Sequence, residues 1–305
     1  MIKLSNGYEF EFVGASGALG FDGRGWPLPK YWILRFFLKK YHFLITPIIK
    51  TLTLYPKKGS YHAVYDGKAH DGRAYVVNAV GLKNPGFEAW AERYLPYLDR
   101  NVIISVTGDS VAEIRDLADQ LRQKVRWSPR SRGRFIQGIE FNCSCPNTKK
   151  KWAVKEISKA VSILRLMTRL PIGVKIDYHQ KNDFKRIAKA TSDVAEWLSF
   201  NSVPWELVFP GIESPLKKKY GVSGAVSGES IRDINKKMAL EIKEIGVKTP
   251  IVASSIGWQP NMALAHLDIL ESLKWADAVS FGSLFRKHPT WPLRLAKNYF
   301  MEEGR

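Results

Sequence analysis

Cysteine is nearly missing from this chain of 305 residues: only Cys143 and Cys145 occur. Two residues apart, they are poorly placed for a disulfide, so reduced thiols and a cytoplasmic setting are expected. Two thiols also fall short of the four ligands of a structural zinc site, and no metal is expected. There is no run of about 20 uncharged apolar residues, which excludes an ordinary membrane-spanning helix. The opening residues, Met1-Ile2-Lys3-Leu4-Ser5-Asn6-Gly7, hold no apolar core of a signal peptide. Acidic residues are scarce, 29 against 47 Lys and Arg, for a formal net charge of +18. Such a charge suits nucleic acid, an anionic membrane surface or acidic small molecules, and equally a merely soluble surface. The cations come in short groups, such as Lys57-Lys58, Lys149-Lys150-Lys151 and Lys217-Lys218-Lys219. No long basic tail or RNA-binding signature stands out, so nucleic acid is not the expected partner.

What the chain does have is length and alternation. With 45% apolar residues it can bury a large core, and about 250 residues is usual for one α/β barrel. Eight β-rich runs are expected as strands: Glu9–Val13, Pro47–Leu52, Val102–Val106, Gly138–Asn142, Ile172–Ile176, Trp197–Asn201, Pro250–Ala253 and Ala278–Gly282. Between them lie helical patterns near Tyr31–Leu44, Phe87–Leu98, Val111–Val125, Ala153–Arg169, Phe184–Asp193, Glu229–Ile245, Ala263–Trp275 and Arg286–Tyr299. Alternating strands and helices demand a parallel sheet. Eight units without a composition break predict an α/β fold, a single-domain (β/α)8 barrel over residues 1–305.

In such barrels the chemistry sits at the C-terminal strand ends. Those ends read Ala15-Ser16-Gly17, Lys50-Thr51, Ser105, Asn142 to Asn147, Lys175, Asn201-Ser202, Ser254-Ser255 and Gly282-Ser283, with Asn78 in a loop after the second strand. Amides, hydroxyls, glycines and two lysines dominate, without histidine or a carboxylate pair. That rim suits a planar polar ring system and a phosphate rather than metal-assisted or glycosidic hydrolysis. Phe141-Asn142-Cys143-Ser144-Cys145-Pro146-Asn147-Thr148 is its densest part. Pro146 ends the ladder and biases Cys145 to an extended conformation at the strand's edge. Cys145 reads either as a proton-transfer group or as a small buried thiol. Cys143 reads as the buried thiol, because its side chain should face away from that of Asn142.

Here the residues resemble a family. Asn142-Cys143-Ser144-Cys145-Pro146-Asn147 is similar to the Asn-x-Ser-Cys/Ser-Pro-Asn motif of dihydroorotate dehydrogenases, and other motifs follow in order. They are Ala15-Ser16-Gly17, Ile49-Lys50-Thr51-Leu52-Thr53, Pro56-Lys57-Lys58-Gly59 and Asn78-Ala79-Val80-Gly81-Leu82-Lys83-Asn84-Pro85-Gly86. Gly173-Val174-Lys175, Asn201-Ser202, Gly224-Ala225-Val226-Ser227-Gly228 and Phe281-Gly282-Ser283 complete the series. The resemblance spans nearly the whole chain and implies an FMN-dependent barrel oxidising dihydroorotate to orotate in pyrimidine synthesis. It makes Cys145 the base for the ring carbon 5 proton, and a cysteine there resembles class 1 members, where class 2 members carry serine. It implies substrate contacts from Lys50, Asn78, Val80, Gly81, Leu82, Asn142, Asn147, Asn201 and Ser202. For FMN it implies Ala15, Ser16, Lys50, Thr51, Ser105, Asn142, Lys175, Gly224, Gly228, Ser254, Ser255, Gly282 and Ser283. A homodimer and an iron–sulfur/FAD electron-transfer subunit are the partners it suggests.

The chain departs from the family in two places. Ala253-Ser254-Ser255-Ile256-Gly257 stands where relatives have a Gly-Gly pair, and the loop after Asn147 is shortened to Thr148–Trp152. Residues 26–44 read in two ways: a first barrel helix packed on the sheet, or a basic amphipathic helix touching a membrane as a peripheral contact. Trp205 to Lys219 is aromatic and basic, with no role assigned. A rival flavin barrel, the tRNA-dihydrouridine synthases, also sets a cysteine before a proline, and basicity suits it. Its later His-Gly-Arg stretch and an RNA-binding extension have no counterpart here.

Overall fold

The computed structural model describes residues 1–59, 63–126, 132–144, 151–178, 183–256 and 261–305. Its centre is an eight-stranded parallel sheet. In chain order the strands are β1 (Phe12–Gly14), β2 (Thr46–Pro47), β3 (Val102–Val106), β4 (Ile136–Asn142), β5 (Ile172–Ile176), β6 (Ala195–Phe200), β7 (Ile251–Ile256) and β8 (Ala278–Phe281). They lie in the order β2-β1-β8-β7-β6-β5-β4-β3. Parallel bridges Ile48↔Ile103 and Leu52↔Val106 join the outer two. The sheet thus closes on itself as the expected (β/α)8 barrel.

The helices outside are α1 (Trp32–Lys40), α2 (Phe87–Arg93), α3 (Val111–Arg126), α4 (Val154–Thr168), α5 (Phe184–Thr191), α6 (Arg232–Glu244), α7 (Met262–Leu273) and α8 (Trp291–Glu302). Their periodicity explains their packing. In α3 the buried residues Ile114, Leu117, Ala118 and Leu121 form one stripe, the spacing that presents a single helical face to a sheet. Ser110 caps its start by accepting from the Glu113 backbone N–H at 3.1 Å. In α4, Ile157, Ala160, Val161 and Leu164 do the same, and the helix ends on Arg169 at φ 59° ahead of Pro171. The expected helix Arg286–Tyr299 is two helices instead, Ser283–Lys287 and α8. Pro289 breaks it and Pro292 opens the second segment. The second strand is also shorter than expected. Only Thr46–Pro47 forms a ladder, and Lys50 N–H turns away to Gly20 O at 2.8 Å.

The two barrel ends are built differently. At the N-terminal end, strands Ile2–Lys3 and Glu9–Phe10 pair as an antiparallel hairpin over the opening. Inside, Trp197 meets the Phe10 ring edge-on at 5.9 Å. Gly173 and Gly138 leave room for that indole: a Cβ on Gly173 would lie 1.8 Å from Trp197 Cε2. At the C-terminal end, two excursions meet in a four-stranded antiparallel sheet. Val64–Lys68 and Ala74–Asn78 come from the β2–α2 connection, Val203–Pro204 and Ala225–Ser227 from the β6–α6 connection. Its core holds Tyr75, Val77, Trp205 and Leu216. The aromatic segment from Trp205 therefore has a structural place, as Trp205 packs on Tyr75 with ring centres 5.4 Å apart. Asn78, expected in a loop, is the last residue of a strand and pairs with Val64 and Ala225.

Candidate active site

The C-terminal end of the barrel opens into a cavity of about 870 Å³. That size falls in the range of roughly 300–1,000 Å³ typical of small-molecule and cofactor sites. Ala15, Ser16, Lys50, Thr51, Asn78, Val80, Gly81 and Leu82 line it. So do Asn142, Lys175, Asn201, Ser202, Gly228, Ser254, Gly282 and Ser283. Residues from nine separated strand ends and loops thus surround one space. Cys145, Asn147 and the side chain of Ser255 lie outside the described residues.

A run of hydrogen bonds ties the polar wall together. Ser16 Oγ and Thr51 Oγ1 are 3.0 Å apart, and Thr51 Oγ1 and Ser105 Oγ 2.9 Å. Asn142 Nδ2 donates to Thr51 Oγ1 at 3.3 Å. Asn201 Nδ2 donates to Asn142 Oδ1 at 3.0 Å and to Ser144 O at 3.1 Å, and its Oδ1 accepts from Ser202 N–H at 3.1 Å. Each amide still has donor or acceptor capacity to offer a ligand, because an amide carries two donors and two lone pairs. Ser105 does not line the cavity; it is buried behind Thr51 and orients that hydroxyl. Gly224 does not line it either. It sits at φ +76°, where a Cβ would meet Asn78 O at 2.7 Å, so it lets two strands of the upper sheet meet.

Lys175 stands at the floor with its Nζ 3.8 Å from Glu140 Oε1, and Glu140 is 1% exposed. Glu140 Oε2 accepts from Ser199 Oγ at 2.8 Å. A buried carboxylate under the lysine positions that cation without competing for the cavity, and removing either partner would strand a charge. Cys143 is buried, donating to Lys175 O at 3.2 Å, and burial pushes its thiol pKa far up. It is an inert packed thiol, as its place one residue beyond Asn142 suggested.

The loop after Asn78 is held by Asn84. Its side chain accepts from Gly86 N–H at 2.9 Å and donates to Leu82 O at 2.8 Å and Thr53 Oγ1 at 2.9 Å. Leu82, against the cavity, adopts φ 60°, a left-handed conformation that a non-glycine residue keeps only when its surroundings impose it. The second asparagine of that motif thus shapes the loop while the first faces the cavity. Trp26, Lys30, Tyr31, Ser227 and Arg286 also line the cavity and escaped residue-by-residue selection. Ser227 lies within the Gly224–Gly228 motif, and Arg286 sits on the short helix Ser283–Lys287 that follows β8. Asp66 fixes this rim, accepting from Arg286 Nε at 3.0 Å and Lys287 Nζ at 2.9 Å. Burial raises the Asp66 carboxyl, but those two cations outweigh it and hold its pKa below the usual value.

Comparison with known proteins decides the family. A sequence profile described as dihydroorotate dehydrogenase matches residues 38–256. This chain belongs to the dihydroorotate dehydrogenase family. It is an oxidoreductase, and family membership assigns it dihydroorotate oxidation in pyrimidine biosynthesis; the RNA-directed reading is not favoured. Catalytic subunits named dihydroorotate dehydrogenase B (NAD(+)) are similar to it. That of Petrotoga mobilis is 28% identical over 260 residues, covering 81% of this chain and 77% of the relative. That of Desulforudis audaxviator is 29% identical over 269 residues, covering 84% and 81%. Among solved structures, an old yellow enzyme homologue from Zymomonas mobilis superposes with a TM-score of 0.50 at 12% identity, covering 97% of this chain and 91% of that one. That likeness supports the fold alone.

The cavity's chemistry fits the flavin of this family. Ala15, Leu82 and Phe200 bring apolar surface to the cavity, and Lys50 and Lys175 bring cations to the same space. Gly228 at φ +103° and Gly282 border it where a backbone can approach an anionic group closely.

Proposed function

We propose that the chain oxidises dihydroorotate to orotate in this cavity with FMN as its cofactor and Cys145 as its base. The observation that carries the reading is the hydrogen-bonded wall Ser16–Thr51–Asn142–Asn201–Ser202 beside two lysines, all lining one cavity. When bound, FMN supplies the hydride acceptor for ring carbon 6. Cys145, as thiolate, takes the proton from ring carbon 5. The thiolate of an ordinary cysteine is a minor species near neutral pH, so a polar or cationic setting is needed to populate it. Asn78, Asn142, Asn147, Asn201 and Ser202 hold the ring amides and carboxylate of the substrate. Asn142 and Asn201 are already tied to each other, so little side-chain freedom is lost on binding. Lys50 and Lys175, which line the cavity, would lie along the flavin and offer positive charge to it. Backbone amides around Gly228 and Gly282, with Ser254 and Ser283, would receive the phosphate.

The reaction would need a partner to accept the electrons. Similar chains are named catalytic subunits of NAD(+) enzymes, which supports a further subunit; on this reading it is an iron–sulfur and FAD subunit, docked on a cytoplasmic homodimer of this chain. The test is reduction of the flavin by dihydroorotate in wild type and in Cys145→Ala. The variant should keep its flavin spectrum and be reduced about 10²–10⁴-fold more slowly, the usual span of general-base loss. A variant reduced at the wild-type rate would remove Cys145 from the chemistry. Orotate formation that persists in excess tRNA would separate this reading from its RNA-directed rival.

A further inference from the structure

The outer face of α1 carries large apolar side chains beside its lysines. Leu34 and Leu38 are buried against Phe12, Phe281 and Phe285, so α1 does pack on the barrel as a first barrel helix should. On its other side Trp32, Ile33 and Phe36, with Phe43 just beyond the helix, are between 64% and 71% exposed. Single exposed apolar residues are ordinary, but four in one short stretch are not. Ring contacts make the surface continuous: Phe36–Phe37 at 6.0 Å, Phe37–Tyr41 at 6.3 Å and Tyr41–Phe43 at 6.5 Å. Cations border it, with Lys40 Nζ 5.4 Å and Lys297 Nζ 5.5 Å from the Tyr41 ring and Lys39 exposed one residue before Lys40. No Asp or Glu occurs between Asp22 and Asp66.

We propose that this face, Trp32, Ile33, Phe36 and Phe43 with Lys39 and Lys40, docks the protein on an anionic lipid bilayer. A helix lying outside a barrel with aromatic side chains above and lysines at the edge matches the interface plane of a membrane. The rings enter the headgroup boundary, and the ammonium groups stay with the phosphates. Charge selects the occupant. A second copy would set Lys39 and Lys40 against their own counterparts with no Asp or Glu in residues 23–65 to pair with them, whereas an anionic surface pairs with them and draws on the whole excess of +18. The chain segment just before α1, with Trp26 and Tyr31, lines the cavity, so docking sets the cavity mouth beside the lipid surface. The docking needs no particular reaction in that cavity.

The test is co-sedimentation of the purified full chain with phosphatidylcholine vesicles, with and without phosphatidylglycerol. Binding is expected on the anionic vesicles and little on the neutral ones. Trp32→Ser with Phe36→Ser should lower the bound-to-free ratio by about ten-fold or more. Lys39→Glu with Lys40→Glu should do the same, and both variants should keep the wild-type melting temperature. Absence of binding to anionic vesicles overturns the proposal. So does binding that ignores both double substitutions and responds only to salt, which would belong to the dispersed basic surface. A dimer in solution that Trp32→Ser with Phe36→Ser splits, or a co-purifying protein that vesicles cannot displace from Phe36, would assign the face to another occupant and also overturn it.

Discussion

At the N-terminal end of the barrel the space between the strands is filled by Trp197, Phe10, Ile48 and Val252 under a hairpin. At the C-terminal end the same strands continue into amides, hydroxyls and lysines around an open cavity. The chain crosses from one regime to the other within single strands. On β5, Gly173 makes room for an indole and Lys175, two residues on, faces the cavity. On β4, Gly138 borders Trp197 and Asn142 joins the polar wall. One end secures the barrel and the other spends that stability on holding polar groups away from bulk water. Substitutions at the two ends should therefore fail in different ways.

Gly173→Val should have the largest effect. Its Cβ would fall inside the Trp197 ring, which the surrounding strands keep from moving, and the loss should reach about 3 kcal/mol or more. The urea midpoint measures it, and an unchanged midpoint would mean that the indole is not packed there. Asn142→Ala should act the other way round. It removes the acceptor of Asn201 and the donor to Thr51, at a cost of about 1–2 kcal/mol in stability. Orotate formation should fall about 100-fold, as when a positioned donor is lost from a reacting site. Cys143→Ala sharpens the contrast within one strand end. A small buried group is lost for about 1 kcal/mol, and turnover should stay at the wild-type rate.

The smallest effect concerns the N-terminal side, where Tyr299 Oη donates to Glu11 Oε1 at 2.8 Å just before β1. Burial, then the Glu11 hydrogen bond and charge, push the Tyr299 pKa from 10.0 up to about 12. A raised folded pKa favours the neutral phenol, so this contribution is fully present below about pH 10 and is lost as the pH climbs through about 12. Unfolding midpoints of wild type and Tyr299→Phe should converge across that window; a gap that stays constant would show that Tyr299 does not titrate with folding.

Much of this was legible in the residues, for reasons that differ by element. The barrel strands are continuous apolar runs because both faces are covered, and their ends are marked by the switch to polar residues. The polar wall was legible because its members end those runs. The upper sheet was missed although Val64 to Asn78 alternates around Asp71-Gly72, a hairpin signal. Its partner strands are only two and three residues long and come from a segment more than a hundred residues away. Asn84 escaped as a loop clamp because its bonds to Leu82, Thr53 and Gly86 exist only once the loop is closed. The outer face of α1 was ambiguous because the helix is apolar on both sides, and burial separates Leu34 and Leu38 from Trp32, Ile33 and Phe36.

The most direct test of the C-terminal end as the seat of catalysis is to purify the chain and record its visible spectrum. Dihydroorotate is then added without oxygen. The bound flavin should bleach as orotate appears in equal amount. An intact flavin that dihydroorotate leaves oxidised would contradict it.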